Sequence, residues 1–344
     1  MSQPASQPDR TTQHLTARPE DIARAAKILR SGGTVAFPTE TVYGLGANAL
    51  DPSAVASIFA AKDRPNWDPL IVHVSSRAML NEVAIVPPQA ERLIEAFWPG
   101  PLTLLLPRTN KIHDAVTAGR PLVGVRMPTH PIALALIEAA GVPIAAPSAN
   151  RFGRTSPTTA AHVLEDLGHR IDAILDGGPT TVGVESTVLD PNQSPMILYR
   201  PGAITAAMLE PIAGPITQYQ PPLQTTAEPQ SLPSPGVGIR HYAPRAHVIL
   251  VATEAELNAQ LAQRASAKNA IGIMLPQGWT VSKNYTETYP WGSIDDPASL
   301  ARSLFAGLRE LDSRGVATII CPLPKPEGLG LAVRDRLKKA AKSK

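Results

Sequence analysis

Short apolar runs and amphipathic stretches are interleaved along the first two hundred residues. Residues 19–30 carry Ile22, Ala26 and Leu29 on one helical stripe, open on Pro19 and stop at Gly32-Gly33, which predicts a helix. Residues 34–37 form a short apolar strand. Asp51 and Pro52 then supply a cap and an N1 proline for a helix that buries Val55, Ile58 and Phe59. Further strands are predicted at 70–74, 102–106, 122–125, 142–145, 171–175, 183–189 and 196–199. Helices are predicted at 88–97 and 131–140, and from a Ser156-Pro157 cap to Leu167. The order is not a strict strand–helix alternation. It predicts an α+β, or mixed α/β, fold whose twisted sheet is partly antiparallel.

The pattern then changes. From 213 to about 235 proline, glutamine and threonine dominate and periodicity disappears, as in a linker. A second unit follows, with strands at 247–251, 271–275 and 317–321 and helices at 254–265 and 297–311. Its alternation predicts a small, Rossmann-like parallel α/β domain, closed by a basic helix holding Arg334, Arg336, Lys338 and Lys339. The expected plan is a disordered tail (1–18), a catalytic domain (19–212), a linker or lid (213–245) and a C-terminal domain (246–344). A length of 344 residues suits two domains, and 43% apolar content suits real cores.

Composition narrows the functional classes. The 36 prolines are about twice the usual share and imply many turns. A net charge of +3 favours anionic ligands without giving the footprint of a nucleic-acid-binding domain. A single cysteine, Cys321, excludes an intramolecular disulfide and a thiolate zinc cluster. With no apolar run of 18 residues and no signal-peptide pattern, a cytoplasmic location away from membranes is expected.

Several motif matches lack their context. Residues 44–49 fit a dinucleotide fingerprint ending in alanine, but no helix follows directly. There is no P-loop, no His-Glu-x-x-His and no nucleophile elbow. Other positions carry more. Pro65 biases Arg64 toward an extended conformation, so Lys62 and Arg64 can present two cations on one side, or merely form a solvated charge run. Ser148 and Asn150 repeat that spacing after a buried strand, as hydrogen-bonders facing a crevice or as ordinary turn formers. Thr39, Thr41 and Tyr43 place hydroxyls in the first turn. His73 sits in an apolar strand, where a core role competes with a ligand role. Arg126 ends a buried strand and needs a carboxylate from the protein or from a substrate. Ser186 and Arg200 complete the set.

PTETVYGLG at 38–46, KDRP at 62–65, PLIVHV at 69–74, WPGPLT at 98–103, GVRMP at 124–128, APSAN at 146–150, GVESTV at 183–188 and RPG at 200–202 occur in one order. With the SPG…HYAP stretch and the ending GLGLAVRDRLKKA, the chain resembles the threonylcarbamoyl-AMP synthase family in its long form, a YrdC-like domain with a C-terminal tail domain. The resemblance implies condensation of L-threonine, bicarbonate and ATP to threonylcarbamoyl-AMP and pyrophosphate, a nucleotidyl transfer assisted by Mg²⁺. The product would pass to the machinery that modifies adenosine 37 of transfer RNA. The family's Lys-x-Arg and Ser-x-Asn pairs fall on Lys62, Arg64, Ser148 and Asn150. Threonine contacts are implied for Thr41, His73, Arg126, Ala146 and Ser186, and ATP contacts for Arg64, Asp68, Leu122, Ser148, Ser156, Arg200, His241 and Tyr242. Asp68 and Ile239 depart from the usual pattern; the carboxylate of Asp68 would repel a polyphosphate unless Mg²⁺ lay between. Two rival readings are an RNA-binding module without chemistry, making weak contact with tRNA, and carbamoyl transfer through carbamoyl-adenylate.

Overall fold

The apolar runs become the strands of two sheets. The computed structural model of the chain describes residues 11–220, 231–234, 236–237, 242–264, 270–281 and 286–342. In chain order the first part comprises β1 (Gln13–Leu15), α1 (Pro19–Arg30), β2 (Val35–Phe37), β3 (Gly44–Asn48), α2 (Pro52–Lys62), β4 (Ile71–His73), α3 (Arg77–Val83), α4 (Pro88–Phe97), β5 (Leu102–Pro107), α5 (Asp114–Thr117), β6 (Leu122–Arg126), α6 (Pro131–Ala140), β7 (Ile144–Ala145), α7 (Ala160–Leu167), β8 (Ala173–Leu175), β9 (Thr187–Asp190), β10 (Met196–Arg200), α8 (Ala206–Ala213) and β11 (Ile216–Gln218). The second comprises β12 (His247–Val251), α9 (Glu254–Gln263), β13 (Ile271–Pro276), β14 (Thr286–Gly292), α10 (Pro297–Ser313), β15 (Thr318–Pro322) and α11 (Leu329–Ala340).

The first sheet runs β1-β8-β2-β3-β7-β4-β6-β5-β9-β10-β11 and mixes parallel with antiparallel pairs. The second runs β12-β15-β13-β14 and is parallel throughout. Both match the fold class expected from the sequence.

Four local expectations are corrected. The stretch expected as a disordered tail includes β1, which pairs with β8, and Thr12 Oγ1 donates to Ile171 O at 2.8 Å. Backbone pairing needs no apolar period, so so short an edge strand leaves little trace in the pattern. The linker expected from 213 begins with β11, parallel to β10, and Leu232 N donates to Trp67 O at 2.9 Å. Ser156 does not cap a helix; α7 starts at Ala160, and the Thr159 side chain accepts from His162 N. β14 was not foreseen, and as an edge strand it tolerates Pro290. The fingerprint-like glycines at 44–46 lie within β3, paired with β2 and β7, so they form no phosphate loop.

The two domains share apolar packing. Val42, Val184 and Tyr242 belong to the same buried cluster as Leu304, Phe305 and Ala332 of the C-terminal domain. Gly183 has φ +84°, and a Cβ there would lie 2.4 Å from Ala301 O, so α10 can rest directly on the 183–188 segment. Arg309 of α10 crosses the same boundary to Asp166 and to Thr155 O, each at 2.5 Å.

Candidate active site

Strand ends from the middle of the large sheet converge on a cavity of about 60 Å³. Thr41, His73, Arg126, Ala146 and Ser186 line it, as do Arg64, Ser148, Arg200 and Tyr242. Thr39, Gly44, Glu185 and Gly236 complete much of the wall. A single water needs about 10–15 Å³ on such a measure. The space enclosed among the described residues is therefore that of a few waters, smaller than a nucleotide.

Each arginine here has a specific carboxylate neighbour. Arg126, only 3% exposed, ends β6. Its Nη1 donates to Thr41 Oγ1 at 2.9 Å, its Nε to Gly100 O at 3.3 Å, and its Nη2 lies 2.5 Å from Glu40 Oε1. The carboxylate demanded by the sequence is thus Glu40, a residue the sequence reading passed over inside PTET. Arg64 pairs with Asp68 at 3.0 Å, donates to Pro69 O at 2.9 Å and stands 5.8 Å from the Phe152 ring centroid. Asp68 is fully buried behind Arg64 and is absent from the cavity lining, so its carboxylate backs a cation instead of facing a ligand. Arg200 donates from Nε to Ser186 O at 2.9 Å and from Nη2 to Ser186 Oγ at 3.1 Å. Beside it, Glu185 accepts from Ser156 Oγ at 2.5 Å and from Arg336 Nε at 2.7 Å. Burial alone would raise the Glu185 carboxyl, but the charges of Arg336 and Arg200 hold it below its ordinary range. Burial and the Arg126 charge push His73 down to about 3, so its imidazole is neutral; it meets Phe37 edge-on.

The two pairs singled out from spacing divide. Lys62 is the last residue of α2, and Asp63 beyond it has φ 53°, held by Arg151 at 2.6 Å and Arg170 at 2.9 Å. That left-handed residue breaks the extended geometry on which a shared face for Lys62 and Arg64 depended. Lys62, 1% exposed, instead donates to Ser148 O at 2.5 Å and to Asn150 O beneath the loop. Burial and the neighbouring Arg64 charge push its amine well below the ordinary lysine range. Asn150 Nδ2 donates to Arg151 O and Arg154 O, both at 2.8 Å. Lys62 and Asn150 therefore build the 148–154 loop, whereas Arg64 and Ser148 face the cavity. Leu122 and Ser156 also lie off the lining: Leu122 begins β6, and the Ser156 hydroxyl is taken by Glu185. His241 and Ile239 lie outside the described residues.

Two family models divide the chain. One, described as Telomere recombination (Sua5, YciO and YrdC), matches residues 27–202. The other, described as Threonylcarbamoyl-AMP synthase, C-terminal domain, matches 204–342. The chain belongs to the threonylcarbamoyl-AMP synthase family. It is 44% identical to the threonylcarbamoyl-AMP synthase of Pyrococcus abyssi, over 93% of this chain and 94% of that one. The Bacillus subtilis threonylcarbamoyl-AMP synthase is 42% identical over 96% and 95%. The crystal structure of P. abyssi Sua5 complexed with L-threonine superposes with a TM-score of 0.88 at 42% identity, covering 96% of this chain and 97% of that one. Residues that the family motifs alone did not single out, Glu40, Glu185 and Arg336, are those that tie the motif arginines and hydroxyls in place. Glu40 and Glu185 lie inside the PTET and GVES stretches and Arg336 inside the GLGLAVRDRLKKA ending, but nothing local says which partner each one takes.

Proposed function

We propose that the chain is an L-threonylcarbamoyladenylate synthase, a nucleotidyltransferase that joins L-threonine, bicarbonate and ATP and releases pyrophosphate. The observation that carries this reading is one cavity lined by three arginines, a neutral histidine and hydroxyl side chains. Full-length similarity to synthases of that name supports it, as does the superposition on a relative solved with L-threonine.

In this reading Arg126 binds the threonine carboxylate with the N–H donors left over by Thr41, Gly100 and Glu40; a guanidinium has five. Thr41, Ser186, the Ala146 backbone and neutral His73 orient the amino acid. The neutral threonine amine attacks the carbon of bicarbonate, whose hydroxyl leaves as water with one amine proton to give a carbamate; a carbamate oxygen then attacks the α-phosphorus of ATP, and the bond to pyrophosphate breaks. Arg64 and Arg200, which line the same cavity, would take the charge developing on the phosphates, and Ser148 would supply a hydrogen bond. Such groups accelerate the step by positioning and by electrostatic stabilisation, with no covalent nucleophile. Tyr242 excludes water that would strip CO₂ from the carbamate. Mg²⁺ would arrive on the phosphates of ATP and neutralise them there. We place the product in the tRNA threonylcarbamoylation pathway and the protein in the cytoplasm. Among the described residues no helix is long and apolar enough to cross a membrane.

Mass spectrometry of a reaction containing ATP, Mg²⁺, L-threonine and bicarbonate tests the reading. Threonylcarbamoyl-AMP and threonine-dependent pyrophosphate are expected. Turnover only with carbamoyl phosphate would select the carbamoyl-transfer rival. Salt-sensitive RNA binding without ATP binding would select the RNA module.

A further inference from the structure

Three residues of the cavity wall are held by one face of the last helix of the other domain. Arg336, on α11, has no solvent exposure. Its Nε donates to Glu185 Oε2 at 2.7 Å and its Nη2 to Glu185 O at 3.2 Å. Its Nη1 donates to Pro201 O at 3.0 Å and to Asp335 Oδ2 at 2.7 Å. The guanidinium carbon stands 5.4 Å from the centroid of the Tyr242 ring, which also meets the Phe305 ring at 5.7 Å. Lys339, three residues on and therefore on the same helix face, donates to Gly236 O at 2.8 Å and to Asp335 Oδ2 at 2.9 Å. Gly236 has φ +75°, and a Cβ there would lie 2.7 Å from Arg200 Nη1. The segment is thus seated directly on a cavity arginine.

We propose that α11 is the latch of the cavity, and that Arg336 is a positioning residue that fixes Glu185, Gly236 and Tyr242 in its wall. Glu185 is the one carboxylate among the described lining residues, and it lies close to Arg200. An uncompensated carboxylate there would compete with any anionic ligand for Arg200. Arg336 claims it from behind, which leaves Arg200 on Ser186 and turned to the cavity. A planar fork can hold the Glu185 side chain, its carbonyl and Pro201 O at once, which a lysine ammonium cannot reproduce. The C-terminal domain thereby completes the wall of a cavity whose chemistry lies in the other domain.

The ligand arm of the test rests on ATP being a substrate; the protease arm does not. Full-length wild type, Arg336→Met, Lys339→Met and Arg336→Met/Glu185→Gln are compared. Chymotrypsin cleavage after Tyr242, buried in the wild type, should accelerate about tenfold or more in all three variants, the scale of losing one charge-assisted hydrogen bond. The KM for ATP should rise about tenfold in Arg336→Met, with a smaller change in kcat, and return toward wild type when Glu185→Gln removes the stray carboxylate. A merely structural role would give no such rescue of KM while cleavage stays fast. If Arg336→Met does not fold, Lys339→Met carries the cleavage test. Wild-type cleavage rates in the folded variants, or an unrescued KM in the double variant, would overturn the proposal. Fast cleavage in the variants of a chain that does not bind ATP would support the latch and refute the substrate reading.

Discussion

The buried pair Arg126–Glu40 offers the sharpest test of how the cavity is held. Their side chains are 4% and 5% exposed, and N and O stand 2.5 Å apart. At an effective dielectric of 20 the gross attraction is about 6–7 kcal/mol, most of it offset by the cost of taking both ions out of water. Removing one partner leaves the other buried and uncompensated, which costs about 3–5 kcal/mol. Arg126→Met and Glu40→Leu should therefore each destabilise the chain by about that amount in urea unfolding. The double variant removes both charges, so its loss should be smaller than the sum of the two and close to or below either one. Threonine affinity by calorimetry separates stability from function. It should fall in Glu40→Leu, where the guanidinium survives but is no longer aimed. Single losses below about 1 kcal/mol, or a double variant costing the full sum, would refute the reasoning.

Three further outcomes follow from the same contacts. Lys62→Met should lower turnover by about a hundredfold through displacement of the 148–154 loop, while circular dichroism stays native; wild-type threonine-dependent pyrophosphate release would remove Lys62 from the account. Gly183→Ala places a methyl 2.4 Å from Ala301 O at a positive φ and should push α10 away, exposing Tyr242 and Phe305 to solvent, which fluorescence quenching or hydrogen exchange would detect. His73 takes up a proton near 6.5 when unfolded but only at about 3 when folded. The unfolded state binds more protons between those values, so stability falls as pH drops, by roughly 2 kcal/mol at pH 5 from this group. Urea midpoints from pH 7 to 5 should show the slope, and His73→Gln should flatten it.

The legible part of the fold was the part with a period. Apolar stripes and caps set α1, α2, α4 and α6 close to their observed bounds, and the alternation after 246 showed a parallel sheet. Elements without a clear period escape such a reading: β1 and β11 pair through backbone at sheet edges, β14 carries a proline on an outer strand, β3 is a glycine-rich strand, and α3, α5 and α8 are helices of eight residues or fewer. The site divides in the same way. Thr41, Arg64, His73, Arg126, Ala146, Ser148, Ser186 and Arg200 were named from ordered motifs and all face one cavity. Lys62 and Asn150 lie in the same motifs at the same two-residue spacing, but Asp63 at φ 53° turns Lys62 off the face of Arg64, and Asn150 Nδ2 is taken by Arg151 O and Arg154 O.

Residue types and local order alone determined which arginines, hydroxyls and histidine would be needed, because a buried cation or hydroxyl demands a partner wherever it lies. Only the tertiary structure decided which partner each one found. Glu40 meets Arg126 across 86 positions of sequence and Arg336 meets Glu185 across 151, distances at which pairing depends on how sheets and domains pack and no local preference can report it.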